Sequence, residues 1–155
     1  MKRLIVLALL ATGILGLPAT ANAAPARTNL FIAHLVGDQE TPPNASPAQG
    51  EVIMHLNADG TISYRLIVAN ITNVFMAHIH VAPRGVPGPI KQWLYPSSGP
   101  PPQLRPGRTD GTLAQGTFMP TPALLAAIEN GDAYVNVHTL QHPGGEIRGQ
   151  LRASR

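Results

Sequence analysis

The chain has 155 residues, 44% of them hydrophobic and 12% charged, with no cysteine and a formal net charge of +3. The lack of cysteine removes disulfides, thiolate metal sites and thiol nucleophiles, so a bound metal would be held by His, Asp or Glu. The length fits one domain able to close a core without covalent staples.

In chain order the first feature is "MKRLIVLALLATGILGLPATANAAPA", with basic Lys2 and Arg3, an apolar stretch over residues 4 to 17, and the small residues Ala21 and Ala23. It reads as a secretory signal peptide over residues 1 to 23, cleaved after Ala23, with a short N-terminal segment at 24 to 29. A membrane-spanning helix would need roughly 18 or more apolar residues, and this run is shorter and ends at Pro18. The expectation is a secreted or periplasmic protein with no stable membrane anchor. Loss of Lys2 and Arg3 leaves 9 basic against 8 acidic side chains, with Lys91 the one remaining lysine. No dense basic cluster survives, so nucleic acid is not an expected partner.

The rest of the chain alternates short apolar runs with Gly, Pro, Asn and Asp clusters, the rhythm of an antiparallel all-β domain over residues 30 to 153. "NLFIAHLV" reads as the first strand. "EVIMHLNADGTISYRLIVANI" reads as two strands, with the hairpin turn at residues 57 to 60. "VFMAHIHVA" and "PIKQWLY" read as the next pair, joined by "PRGVPG". The Pro- and Gly-rich stretch from 96 to 110 reads as a long surface loop, and "GTLAQGTFM" follows as a strand. In "TPALLAAIENG", Thr121 is placed as an N-cap, Pro122 at the first helical position and Gly131 as the stop, which predicts one short helix near 122–130. "AYVNVHT" and "EIRGQLR" close the chain as a hairpin. The fold expectation is a Greek-key sandwich or flattened barrel of about eight strands.

Alternation then sorts the histidines by face. Over residues 75 to 82, Phe75, Ala77, Ile79 and Val81 share one side and Met76, His78, His80 and Ala82 the other. In the later strand Val135, Val137 and Thr139 oppose Tyr134, Asn136 and His138. With the aliphatic sides buried, the imidazoles of His78, His80 and His138 are expected on the outer side of the wall, away from the core. Three such nitrogens suit copper or zinc with a position left for water or substrate. The competing reading gives the same histidines to hydrogen bonds with Asn136, Thr139 or Glu146 that fix strand register, and a third makes them a pH-sensitive partner surface. His34 and His55 stand alone and read as exposed. Glu146 and Arg148 share a face and are expected to pair with each other or with neighbouring strands. Trp93, with Tyr95, is expected at the edge of the core, and Glu40, beside Pro42 and Pro43, in a turn. No serine triad or carboxylate pair can be assembled, so hydrolase chemistry is not expected.

"LVGDQETPP", "AHIHVAPRGVPGPI", "GDAYVNVHT" and "PGGEIRGQL" together resemble the ordered signatures of the CHRD domain, from about residue 30 to residue 151. That resemblance implies a non-catalytic extracytoplasmic binding module whose partner is a protein or extracellular matrix surface. Two positions depart from the pattern: Val81 replaces a small residue, and His142 stands where Asn is usual, a candidate fourth ligand. A more distant similarity is to copper/zinc superoxide dismutase, whose copper-binding His-x-His matches His78 and His80 and whose later copper histidine matches His138. It implies the same three residues as metal ligands, with copper or zinc as the cofactor and redox activity as an option. The bridging histidine and zinc ligands have no counterpart, because residues 83 to 131 contain no histidine.

Overall fold

The computed structural model describes residues 29 to 154; the signal-peptide reading of residues 1 to 23 lies outside them. Eight strands and one helix follow in order: β1 (Leu30–Val36), β2 (Gln49–Leu56), β3 (Ile62–Val81), β4 (Ile90–Tyr95), β5 (Arg105–Phe118), α1 (Pro122–Asn130), β6 (Ala133–Thr139), β7 (Ile147–Gln150) and β8 (Arg152–Ala153). All the pairings are antiparallel, as expected for an all-β chain. Five strands close a ring in the order β3, β2, β1, β7, β6 and back to β3, while β4 and β5 pair with β3 and β8 with β1. Among the described residues no helix is long and apolar enough to cross a membrane.

The ring closes because β3 is long enough to serve twice. Its first half pairs with β2 from Ile62 to Ala69 and its second half with β6 from Val74 to Val81. Between the halves, Asn70 and Asn73 take left-handed backbone angles, φ 56° and 59°. Asparagine tolerates that conformation better than most residues because its short amide bonds locally. The β2–β3 hairpin turns at residues 57 to 60 as predicted, closed by Asn57 N–H to Thr61 O at 2.8 Å and Gly60 N–H to Asn57 O at 3.0 Å.

One expectation is corrected. The stretch 96 to 110 is not loop throughout: irregular chain ends at residue 104, and residues 105 to 110 form the first half of β5. Pro106 and Gly107 read as breakers, but this segment is partnered by the bulged centre of β3. Gly107 N–H donates to Asn73 Oδ1 at 2.8 Å, Asn70 N–H donates to Asp110 Oδ1 at 2.7 Å, and Arg108 donates to Asn70 Oδ1 at 2.6 Å. The side chains that kink β3 therefore carry its partner across the kink.

The helix stands where its caps put it. Leu124 N–H donates to Thr121 Oγ1 at 3.2 Å, and Gly131 closes the C-terminus with φ 78°. Leu124, Ala127 and Ile128 are buried on its inner side. The core is apolar and mostly aliphatic, centred on Phe31, Leu35, Met54, Leu66, Ile71, Ile79, Leu94, Ile128, Ile147 and Leu151, all at 0% exposure.

Candidate metal centre

Ala77 and Ile79 of β3 and Val135 and Val137 of β6 point into the core, so His78, His80 and His138 project from the opposite face, as alternation requires. The outer face is nevertheless not open to solvent. His78 is 0%, His80 7% and His138 6% exposed, and every residue of β6 is buried. The face is covered by the chain after β3, which folds back over β6 and β7. Arg148, 2% exposed, donates to Pro83 O at 3.3 Å and Val86 O at 3.0 Å, and Gln150 donates to Ala82 O at 2.9 Å. These carbonyls take N–H donors of two long polar side chains that would otherwise be stranded on the wall.

Beneath that cover the three imidazoles converge: one ring nitrogen from each lies within 4.8 Å of the others. His78 is central, its ring centroid 5.6 Å from that of His80 and 5.1 Å from that of His138. Trp93 on β4 meets His78 edge-on at 4.3 Å and so walls the site, a role beyond the core edge expected for it. Tyr134 stacks on His80 at 4.8 Å with an interplanar angle of 3°, and the Arg148 guanidinium covers the far side of the Tyr134 ring at 3.4 Å.

The tautomers are set by backbone. His80 Nδ1 lies 2.8 Å from Gly88 O, and His138 Nδ1 lies 2.9 Å from Pro143 O. A carbonyl only accepts, so both Nδ1 atoms carry the proton and both Nε2 atoms present lone pairs. Those two Nε2 atoms, and both ring nitrogens of His78, are buried without a hydrogen-bond partner. Thr139 and Glu146 do not occupy them: Thr139 Oγ1 and Ser46 Oγ both donate to Glu146.

The electrostatics keep these rings neutral. Burial, reinforced by neighbouring His138 and His80, lowers the His78 pKa to about 3. Burial lowers His138 to about 4, against the opposing pull of its bond to Pro143. His80 is also lowered, again chiefly by burial. A neutral imidazole is the form that ligates a metal, and a ligating histidine commonly donates its other N–H to a carbonyl. The chemistry of the donors therefore fits a transition-metal ion.

The remaining candidates sort differently. His34 and His55 are exposed, as expected, and His55 sits between Asn29 and Asn57. His142 does not join the triad; it lines a surface pocket with Ser46, Asn70 and Glu146. Glu146 and Arg148 do not pair: Glu146 takes two hydroxyl donors, whereas Arg148 bonds carbonyls, Thr41 Oγ1 and the Tyr134 face. Glu40, read as a turn element, is 7% exposed, and burial raises its pKa to about 7 against the opposing charge of Arg148. Gly88 was not singled out by its sequence, yet its carbonyl orients His80 and its N–H donates to the Tyr134 hydroxyl at 3.1 Å. A glycine between two prolines in "VPGP" signals a close backbone approach only once its neighbours are known.

A family model, the CHRD domain, matches residues 31–151. No curated protein and no solved structure matches the sequence. The matched span runs from β1 through β7 and contains all three histidines of the centre, and the chain belongs to the CHRD domain family.

Proposed function

We propose that this CHRD domain is an extracytoplasmic metal-binding module that holds one copper or zinc ion on His78, His80 and His138. The observation that carries this reading is the set of buried, unpartnered ring nitrogens in the cluster. Each such group costs about 1 to 3 kcal/mol when left unsatisfied, and a shared cation satisfies one nitrogen on each ring at once. A bound ion would supply Lewis acidity or, for copper, one-electron chemistry; the protein fixes the tautomers through Gly88 and Pro143 and excludes water with Trp93 and Tyr134. Export follows from the signal-peptide pattern of residues 1 to 23, and mass spectrometry of exported protein should find Ala24 as the first residue.

The test is calorimetric and thermal titration with copper or zinc at neutral pH. An ion bound only by the native state stabilises it by RT ln(1 + [L]/Kd), about 2.7 kcal/mol at a hundredfold excess over Kd. The resulting rise in Tm should vanish in His80→Ala and persist in His55→Ala. A wild-type chain with no saturable binding would end this reading and leave a protein or matrix surface as the ligand of the module.

A further inference from the structure

The histidines have a fourth companion on their face of the sheet. Counting back from Ala77, which is in the core, strand alternation turns Met76 to the same outer side as His78 and His80, and the register sets it directly opposite His138. Directly opposed residues of an antiparallel pair hold their Cβ atoms about 4.5 to 5.5 Å apart. A thioether on three rotatable bonds spans that interval. Met76 is half-buried where the three histidines are buried, which places it at the rim of the cluster.

Charge selects among the ions such a set would take. Among the described residues no Asp or Glu joins the three histidines at ligand spacing. The charge held in their aromatic stack is a cation: Arg148 lies over Tyr134, and Tyr134 lies over His80. A divalent ion on neutral ligands would bring its whole +2 charge into a site walled by Trp93 and Tyr134. A monovalent ion brings half that charge, and the self-energy of a buried ion grows with the square of its charge. Soft thioether donors select copper(I), whereas a zinc centre completes its tetrahedron with nitrogen, thiolate, carboxylate or water ligands.

We propose that Met76 is the fourth ligand of the His78, His80 and His138 centre and that the centre takes copper as copper(I) in preference to zinc(II). This rests on the metal-binding reading above, and the experiment separates the two. The full chain is titrated without oxygen with copper(I) against a chromogenic copper(I) chelator, and separately with zinc(II) against a chromogenic zinc chelator. Wild type, Met76→Leu and His80→Ala are compared, the leucine being a volume-conserving replacement that removes only the sulfur donor. Copper(I) should bind about 100-fold more tightly than zinc(II) or better, as expected of a soft donor in an uncharged ligand set. Met76→Leu should weaken copper(I) by about tenfold or more and leave zinc(II) unchanged, and His80→Ala should lose both. X-ray absorption at the copper edge should show one sulfur neighbour in wild type and none in Met76→Leu. A wild-type spectrum with nitrogen neighbours alone, or unaltered copper(I) affinity in Met76→Leu, overturns the role of Met76 while the three-histidine centre stands. Zinc(II) binding more tightly than copper(I) overturns the choice of ion. A chain that takes up neither ion fails at the triad, and His80→Ala then changes nothing.

Discussion

Gly88→Ala is the perturbation that separates a supported metal centre from three histidines that merely sit together. A Cβ on Gly88 would lie 2.2 Å from Val81 O and 2.8 Å from the Ala82 Cβ. Both neighbours belong to the end of β3 and the chain just beyond it, so neither can turn aside as the tip of a flexible side chain would. The segment carrying Gly88 must lift, and with it go the bond that fixes His80 Nδ1 and the bond to the Tyr134 hydroxyl. Overpacking costs about 1 to 3 kcal/mol and each of the two lost hydrogen bonds about 1 kcal/mol, so urea denaturation should show a loss of about 3 to 5 kcal/mol. Losing the orienting partner of a ligand should weaken metal binding by about 10- to 100-fold, even measured where the variant is fully folded. Gly144→Ala is the control: an added Cβ meets nothing within 4 Å, and the change in stability should stay within about 0.5 kcal/mol. Wild-type metal affinity in folded Gly88→Ala would refute the idea that this carbonyl sets the lone pair of His80.

Three further outcomes are expected. The metal-free protein should lose stability as pH falls below about 6.5, because the unfolded chain protonates its histidines there while folded His138 and His78 resist until about pH 4 and 3. Discounted for solvent screening, the loss is about 1 to 2 kcal/mol for each of these two by pH 4.5, and flat denaturation midpoints between pH 7 and 4.5 in a Glu40→Gln background, which removes an opposing titration, would contradict it. Glu40 has the opposite sign: its raised pKa means the unfolded chain ionises first, so stability is lost between about pH 4.5 and 7. Glu40→Gln should therefore gain about 1 to 2 kcal/mol on wild type at pH 8 and nothing at pH 4, and equal gains at both pH values would show that ionisation is not the cause. Thr121→Ala should cost about 1 kcal/mol by thermal unfolding through loss of the helix cap, and an unchanged Tm would show that the cap bond contributes nothing.

What could be read from the sequence was whatever depends on near neighbours. The turn at residues 57 to 60, the caps Thr121 and Gly131, and the common face of His78 and His80 each follow from local backbone chemistry, and each stands in the structure. What escaped depends on contacts across long separations. The cover over the outer face of β6 could not be read, because nothing in "PRGVPG" announces that its carbonyls will be claimed by Arg148, more than sixty positions later. Arg105 to Asp110 looked like loop because Pro106 and Gly107 suit a bulged edge as well as they suit irregular chain. Glu146 and Arg148 were expected to pair with each other or with neighbouring strands, and the second alternative holds: both meet β6, through Thr139 and the Tyr134 ring, with further partners in separate loops that local sequence does not announce.

The core residues of β3 carry a lesson in parity. They run Ile62, Tyr64, Leu66 and Val68, all even, then Ile71, Val74, Ala77 and Ile79, so the step of two becomes a step of three at three places before it resumes. Three is odd, and an odd number of inserted residues exchanges the two faces of a strand. Counted straight on from Val68, the even-numbered His78 and His80 would fall among the core side chains. They stand outside because the irregular middle of the strand changed the count. The spacing between residues 69 and 76 is thus a switch in sequence arithmetic: removing any single residue there would leave every histidine in the chain and turn His78 and His80 toward the wrong side of the wall.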